Sequence, residues 1–249
     1  MKQTPSTALI SLLPFDIAIK IVLSLEVLDV CALGSCSRLW RELCRSDCLW
    51  ESLTKQRWPS VSLPFLCNSS SSTTDPLVKG WREIYVRLHE EMAGKATALV
   101  EFVEHSSPYD SLEVGEYYKA LQDLYSMQLA FTDVQMFLFK PRLNVLLNLV
   151  GLHYCIFGLK VPAEHVMDAL LSCKVSERQV CVKWWKIGRW FFGFHMTEEP
   201  HSRTVSLADL TTEKGEEILK VLHRGAIHEV LRIEISISNA ATTPGSCQS

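Results

Sequence analysis

The apolar positions of the first 60 residues follow a helical pattern. Ile17, Ile21 and Leu25 recur at every fourth residue, a spacing that places side chains on one face of a helix. Two further short helices are predicted, one at about 29–34 and one around 39–44. The segment therefore reads as a small unit of three helices, which is too short to enclose a large core of its own.

A polar stretch divides this unit from the rest of the chain. Residues 68–76, NSSSSTTDP, contain no apolar side chain, and a Ser/Thr-rich sequence that ends in Asp-Pro is typical of a loop or linker. We therefore place a linker at 66–76, after an N-terminal domain at 9–60. A C-terminal domain is expected at 77–238, and the small polar residues 239–249 are expected to form a frayed tail.

The C-terminal domain changes from a helical period to a strand period along its length. Apolar residues come every three or four positions in its first part, and they alternate with polar residues in its last part, as in a half-buried strand. The predicted helices are 78–92, 113–131, 142–157, 163–172 and 213–224, and the predicted strands are 180–186, 190–196, 203–207 and 231–237. The fold class is therefore α+β: a three-helix N-terminal unit, a helical region and a small, mostly antiparallel sheet.

An aromatic cluster lies in the predicted sheet. Six large rings fall within residues 184–194: Trp184, Trp185, Trp190, Phe191, Phe192 and Phe194. Because successive strand residues point to opposite faces, Trp184 and Trp185 cannot both lie in one core. Either both faces of the sheet are covered, or one aromatic row is exposed to a partner, where tryptophan is a frequent hot-spot residue. Trp184, Trp185 and Trp190 are therefore the candidate substrate-binding residues.

Composition narrows the classes of function. The chain has 25 Lys and Arg against 28 Asp and Glu, a formal net charge of -3 without a local basic stripe, so a nucleic-acid partner is not expected. Nine cysteines are scattered along the chain and odd in number, unlike the dense sets of small secreted domains. The N-terminal residues do not resemble a signal peptide. These features predict a protein of the cytoplasm, the nucleus or both.

One uncharged segment raises the question of a membrane span. Residues 143–159 carry no charge but are shorter than the roughly 20 residues that a spanning helix needs. The less apolar residues of the segment form one stripe at helical spacing: Asn144, Asn148, Gly151 and Cys155. That stripe favours a helix packed among neighbouring helices, so we predict a buried helix of a soluble domain and no membrane partner.

Motifs for chemistry are absent from the sequence. It contains no GxGxxG, GxxxxGK[ST], GxSxG or HExxH pattern, which are signatures of phosphate binding, nucleophilic catalysis and zinc proteases. Cys44 and Cys48 have a spacing that could bring two thiols together on a helix, but no second pair of ligands stands near them, so a metal site is not expected. Glu198–His201 puts carboxylates beside an imidazole in a polar turn, which favours a solvated loop. We therefore assign no catalytic residue, metal or cofactor.

The N-terminal unit resembles an F-box. Leu13-Pro14 precedes Asp16-Ile17, and Leu49-Trp50 with the trailing Arg57-Trp58-Pro59 closes the unit. The order and spacing are specific, although Asp16 stands in place of a glutamate and Cys36 lies four residues before Trp40 instead of three. The resemblance implies that the following residues contact an adaptor protein: Leu13, Pro14, Ile17, Ile21, Leu25, Cys36, Trp40, Leu43, Leu49 and Trp50.

The resemblance also implies a function. F-box proteins pair with a Skp-type adaptor and, through it, with a cullin, while a second domain binds the protein to be ubiquitinated. We therefore predict a non-enzymatic substrate receptor of an SCF-type ubiquitin ligase, which acts by proximity. The alternative is an interaction or scaffold protein that binds the adaptor and directs nothing to degradation. An enzyme with a fused F-box-like lobe is disfavoured by the absent motifs.

Overall fold

The structure is a computed structural model of the chain. It describes residues 14–25, 27–59, 80–107, 111–186, 190–191, 194–195, 199–224 and 230–237. The chain divides into two compact units, Met1–Glu91 and Met92–Ser249. The described part of the first unit is helical and the second unit combines helices with an antiparallel sheet, which confirms the predicted α+β class.

Four short helices follow one another in the first unit. They are α1 (Phe15–Leu23), α2 (Val27–Cys36), α3 (Arg38–Arg45) and α4 (Asp47–Arg57). Ser37 separates α2 from α3 and accepts a hydrogen bond from the backbone N–H of Trp40, so it caps α3. Ser46 ends α3 and begins α4. The predicted set of three helices is thus extended by α4, whose acidic first turn and basic last turn complement the helix dipole.

Helix α5 (Trp81–Ser106) contributes residues to both units, because the division falls between Glu91 and Met92. The domain boundary expected at residue 77 is therefore earlier in the chain than the division between the compact units. The physical reason is that the buried Tyr85 of α5 packs against aromatic rings of the first unit. The linker expected at 66–76 and the tail expected at 239–249 lie outside the described residues.

The second unit continues with helices and strands in mixed order. Its helices after α5 are α6 (Val114–Met127), α7 (Phe131–Phe137), α8 (Val145–His153), α9 (Ala163–Ser172) and α10 (Glu216–Arg224). Its strands are β1 (Ser111–Glu113), β2 (Gln179–Lys186), β3 (Trp190–Phe191), β4 (Phe194–His195), β5 (Glu199–Ser206) and β6 (Val230–Ile237). A π-helical turn, Tyr154–Gly158, continues α8. The helix predicted at 113–131 is α6, and it is preceded by β1 and followed by the separate helix α7.

A four-stranded antiparallel sheet has the strand order β1-β6-β2-β5, and β3 pairs with β4 in a separate two-stranded sheet. The inner face of the four-stranded sheet is apolar: Ile235 of β6 is paired with Leu112 of β1 on one side and with Val182 of β2 on the other, and all three side chains are fully buried. The exposed Lys183 of β2 lies on the opposite, outer face. The alternation predicted from the sequence is therefore present across the sheet.

Helix α8 is buried along its entire length, from Val145 to His153, as the uncharged segment predicts. The asparagines of its polar stripe have separate roles. Asn144 caps the helix through its side-chain oxygen. Asn148 donates to the carbonyl oxygen of Leu138 at 2.6 Å and accepts from Arg178, so its buried amide is satisfied. The described part of the chain contains no helix that combines the length and the apolar character needed to cross a membrane.

Candidate functional site

The first unit carries large apolar side chains on its surface. Phe15, Ile17, Ile21 and Leu39 are exposed by 57, 47, 42 and 41 %, respectively. Ile17 and Ile21 are one helical turn apart on α1, while the adjacent face of the same helix buries Ala18 and Val22. Helix α1 thus uses one face for the core and leaves another in water, which is a signature of a protein contact surface. We refer to Phe15, Ile17, Ile21 and Leu39 as the apolar face.

Pro14 sets the beginning of α1. It is the N-cap residue, with φ of -57°, and its carbonyl oxygen accepts hydrogen bonds from the backbone N–H groups of Ile17 and Ala18, each at 3.0 Å. Proline has no N–H to lose at this position and its fixed φ suits the start of a helix. Pro14 therefore determines where the helix that presents Ile17 and Ile21 begins.

The ten predicted adaptor-contact residues fall into three groups. Six are exposed or half-buried in the first unit: Pro14, Ile17, Ile21, Leu25, Cys36 and Trp40. Three are buried, namely Leu43, Leu49 and Trp50, and Leu13 lies outside the described residues. The structure therefore supports a surface role for six of the predicted positions and a core role for three.

The three buried residues stabilise the first unit from inside its core. Trp50 donates from its indole Nε1 to the backbone oxygen of Cys44 at 2.8 Å and so joins α4 to the end of α3. Leu49 is fully buried and Leu43 nearly so. A direct adaptor contact is not supported for these residues, because their side chains already lie inside the core; they hold the helices that carry the exposed positions.

Two residues of the apolar face were not among the sequence-predicted contacts. Phe15 follows Pro14 directly and stands in the first turn of α1, and Leu39 precedes Trp40 in α3. In the sequence, only their position next to predicted contact residues indicated that Phe15 and Leu39 could belong to the surface. Exposure of an apolar residue depends on which helix face the rest of the unit covers, and that is a tertiary property.

A buried arginine joins α4 to the beginning of α5. Arg57 donates from Nη1 to the hydroxyl of Tyr85 at 2.6 Å, and its Nη2 lies 3.3 Å from Nδ1 of His89. The guanidinium carbon is 4.5 Å from the ring centre of Trp58, a cation–π distance. The ring of Tyr85 makes an edge contact with Trp50, with centroids 5.3 Å apart. The trailing Arg57-Trp58-Pro59 motif therefore stabilises the first unit through its arginine and its tryptophan.

The start of α5 is fixed to α4 by a second contact. The carboxylate Oδ1 of Asp47 accepts a hydrogen bond from the backbone N–H of Trp81 at 3.1 Å. A Cβ atom on Gly80 would lie 3.1 Å from the same oxygen, which is closer than most real contacts. Glycine at position 80 thus permits the chain to approach Asp47 as α5 begins.

Cys44 and Cys48 of the first unit lie on two different helices. Cys44 is buried in α3 and Cys48 is exposed in α4, so their spacing does not place them on one helix, because Ser46 separates the two. Burial, assisted by the nearby Cys31, raises the pKa of the Cys44 thiol, which therefore stays protonated. No group of three or more metal-binding side chains is found among the residues that the structure describes.

The candidate substrate-binding tryptophans have different environments. Trp184 is 4 % exposed and its ring stacks on that of His201, with centroids 5.5 Å apart, so it belongs to the core and is not available to a partner. Trp185 points to the outer face of the sheet and is half-buried. Trp190 lies in β3, but its side chain is outside the described part of the structure. The three residues are therefore not gathered on one surface.

Comparison with known proteins identifies the first unit. The family model of the F-box domain matches residues 10–52, a range that includes α1, α2, α3 and the first part of α4 and so contains the whole apolar face. A search of the curated proteins and a search of the solved structures each found no match. F-box domains typically bind Skp-type adaptors of SCF ubiquitin ligases. The match agrees with the sequence resemblance and with the exposed helical face, and the chain therefore contains an F-box domain at residues 10–52.

Proposed function

We propose that the protein is a substrate-recognition subunit of an SCF-type ubiquitin ligase. In this role the first unit binds a Skp-type adaptor and, through it, a cullin, and the second unit binds a protein that is to be ubiquitinated. The observation that carries the proposal is the apolar face, which lies within the matched F-box domain and is exposed to water.

The apolar face can supply a substantial part of the binding energy. Complete burial of a large aliphatic or aromatic side chain contributes about 1.5–3 kcal/mol. Ile17 and Ile21 are already somewhat more than half covered, so about 1 kcal/mol remains to be gained by each. Replacement of both by aspartate would remove this gain and would also place two charges in the interface, where an unpaired charge is costly.

The mechanism that we assign requires no bond-making by this chain. A receptor that holds a substrate beside the ubiquitin-charged enzyme raises the effective concentration of the substrate's lysines at that enzyme. The residues that the receptor contributes are then binding residues, and the geometry that matters is the simultaneous occupation of both units.

We assign substrate binding to the outer face of the sheet in the second unit. This face carries the half-buried Trp185 beside the exposed Lys183 and, on the neighbouring strand, Ser202. A partly exposed tryptophan offers a large contact area at a low entropic cost, which is why it is frequent at binding hot spots.

The adaptor half of the proposal is tested with the double substitution Ile17→Asp and Ile21→Asp in the full chain. We expect its affinity for a purified Skp-type adaptor, measured by calorimetry, to fall at least 100-fold, which corresponds to about 2.7 kcal/mol. The circular dichroism spectrum should not change, because both residues are exposed. Leu171→Asp is the matched control, since Leu171 is 54 % exposed but lies in the second unit. Unchanged adaptor affinity in a folded double variant would contradict the assignment.

The substrate half requires a separate readout. Proteins captured by the full chain are tested for ubiquitination in a reconstituted ligase, with the wild type and the double variant compared. Ubiquitination that depends on the apolar face supports the receptor. Adaptor binding without ubiquitination of any captured protein would instead identify a scaffold.

A further inference from the structure

Strand β5 forms one edge of the four-stranded sheet. The strand order is β1-β6-β2-β5, so β5 pairs with β2 on one side and with no other strand of the described chain on its second side. It has eight residues, whereas β1 at the opposite edge has three. An edge strand of this length presents backbone N–H and C=O groups that are able to pair with a further strand.

The register of β5 shows which of its backbone groups face outward. Just beyond the last residues that the two strands pair, the backbone N–H of Leu207 donates to the carbonyl oxygen of Arg178 at 2.9 Å. In an antiparallel pair, residues that exchange hydrogen bonds alternate with residues whose N–H and C=O groups point away from the partner strand. The register between β2 and β5 is unbroken. Every second residue back from Leu207 therefore bonds to β2, and the intervening Ser202 and Thr204 direct their backbone groups away from it.

Pro200 supports this assignment of the outward groups. It lies two residues before Ser202 and so belongs to the outward set, where the missing N–H of proline costs no bond to β2. Proline at this position also limits the edge, because only a carbonyl group is presented there. The backbone N–H groups that the edge offers beyond Pro200 include those of Ser202 and Thr204. Both residues are exposed, and neither N–H has a hydrogen-bond partner among the residues that the structure describes.

The size of this edge fits a short extended segment better than a second copy of the chain. An antiparallel strand beside β5 forms a pair of hydrogen bonds with Ser202 and another with Thr204. A stable interface between two folded proteins takes roughly 20–30 residues from each side, which an edge of this length does not supply. A flexible segment that adds to a sheet edge instead obtains much of its affinity from main-chain hydrogen bonds.

A lysine on the outer face indicates the charge of such a segment. The exposed Lys183 of β2 lies in register with Ser202 of β5 and, on its other side, with Glu234 of β6. Glu234 accepts a hydrogen bond from Ser111, and Lys183 forms no ion pair within the described part of the chain. Because the side chain of Ser202 is small, the ammonium group of Lys183 is able to reach past it. An aspartate or glutamate opposite Ser202 on an added strand would meet this charge.

We propose that β5 binds an extended acidic segment of the substrate protein as an added antiparallel strand. The backbone groups of Ser202 and Thr204 hold the segment, and Lys183 selects for an acidic side chain on the outer face of the sheet. The inference rests on the proposed function, because it takes the outer face as the substrate site and specifies how a substrate is bound there. It concerns the second unit alone and requires no contact with the adaptor.

A peptide library tests the strand addition on the unaltered full chain. Peptides of about ten residues, displayed on phage, are selected on the protein, synthesised with a fluorescent label and measured by anisotropy. An added strand bonds to β5 through every second residue. Methylation of the peptide nitrogen at these residues should therefore weaken binding by about tenfold or more, while methylation at the intervening residues should change it by about twofold at most. The selected peptides should also contain aspartate or glutamate.

Variants of the edge locate the bound peptide. Thr204→Pro removes the outward N–H and preserves the pairing with β2, as Pro200 does in the natural strand, so it should lower peptide affinity by about tenfold or more. Thr204→Val is the matched control, because it keeps the N–H and the β-branched shape and should bind like the wild type. Lys183→Ala should lower the affinity by about threefold, and peptides with asparagine or glutamine in place of the acidic residues should be insensitive to it. Circular dichroism verifies that each variant is folded.

Several results would overturn the proposal: recovery of no peptide, N-methylation effects without a period of two, or equal affinity of folded Thr204→Pro and the wild type. A dimer of the wild type that Thr204→Pro dissociates in sedimentation would assign the edge to a second copy, which also overturns it. The proposed ligase function fails separately. Peptide binding with the expected period, without ubiquitination of any captured protein, would support strand addition and contradict the receptor role. Equal ubiquitination of a substrate by Thr204→Pro and the wild type would do the reverse.

Discussion

The hydrogen bond between Arg57 and Tyr85 offers a direct test of how the first unit is stabilised. Tyr85→Phe removes one oxygen and keeps the ring contacts with Trp50 and Trp58. The bond is 2.6 Å long and its donor is charged, and such bonds contribute about 1.5–3 kcal/mol. Because Arg57 is only 9 % exposed, water replaces the lost acceptor poorly. We therefore expect Tyr85→Phe to lower the free energy of unfolding by about 2 kcal/mol.

A double-mutant cycle isolates this interaction from the packing around it. Arg57→Met removes the guanidinium from the ring of Trp58 and leaves the buried hydroxyl of Tyr85 without its donor, so it should cost about 3 kcal/mol. In the double variant neither group of the bond is left alone. The double variant should therefore be about as stable as Arg57→Met, with a coupling energy of at least about 1 kcal/mol.

Urea unfolding of the full chain, followed by tryptophan fluorescence, measures these values. Lys55→Met is the control, because the exposed Lys55 makes only surface contacts, an ion pair with Glu51 and a cation–π contact with Trp81 at 5.9 Å. It should change stability by about 1 kcal/mol at most. If the costs of the two single variants simply added in the double variant, the reasoning would be refuted.

Three further predictions concern the second unit. Gly215→Ala would place a Cβ against the backbone Cα atom of Leu210 and should lower the free energy of unfolding by about 3 kcal/mol or more. Gly94 lies in the interior of α5 with no neighbouring atom within 4 Å of such a Cβ, so Gly94→Ala should raise the free energy of unfolding by up to about 1 kcal/mol. Melting temperatures compare the two variants. Trp184→Ala should lower the free energy of unfolding by about 3–5 kcal/mol because the ring is buried, and urea unfolding measures this effect. Trp185→Ala should leave the fold intact and weaken substrate capture in a pull-down about tenfold or more. An unfolded Trp185→Ala would show that the outer face is core. The pKa of His153 is about 3 in the folded chain and 6.5 without the fold, so its contribution to stability is complete above about pH 6.5 and is lost as the pH falls toward 3. The free energy of unfolding should therefore be about 2 kcal/mol lower at pH 5 than at pH 7, and equal values at the two pH values would contradict the burial of a neutral imidazole.

The sequence pattern predicted those elements whose environment is uniform along their length. The strands expected at 180–186 and 231–237 correspond to β2 and β6, and the uncharged segment contains the buried helix α8. Strand β1 could not be predicted, because it has three residues and is stabilised by pairing with β6, far away in the chain. A local pattern contains no information about such a partner.

The sequence predicted where the candidate site lies in the chain, but it did not predict which of its side chains are exposed. Ile21 and Leu43 are both apolar residues on short helices, yet Ile21 is 42 % exposed and Leu43 is buried. The difference depends on how α1, α3 and α4 pack, which the resemblance does not specify. The hydrogen bond between Arg57 and Tyr85 could not be predicted from the sequence pattern either, because the two residues lie on opposite sides of the polar stretch at 68–76.

The strand order of the second unit has a consequence for the synthesis of the protein. Strand β6 comes last in sequence among the described strands, but it lies between β1 and β2. While the chain is being translated, β1 and β2 each have an open edge at the place that β6 will occupy, and open edges promote pairing with other chains. The helices of the first unit make contacts closer together in the sequence, so this unit is able to fold first. We expect a nascent chain that stops before Val230 to carry a folded F-box and an aggregation-prone second unit, so that chaperones retain it and premature termination yields no adaptor-binding decoy.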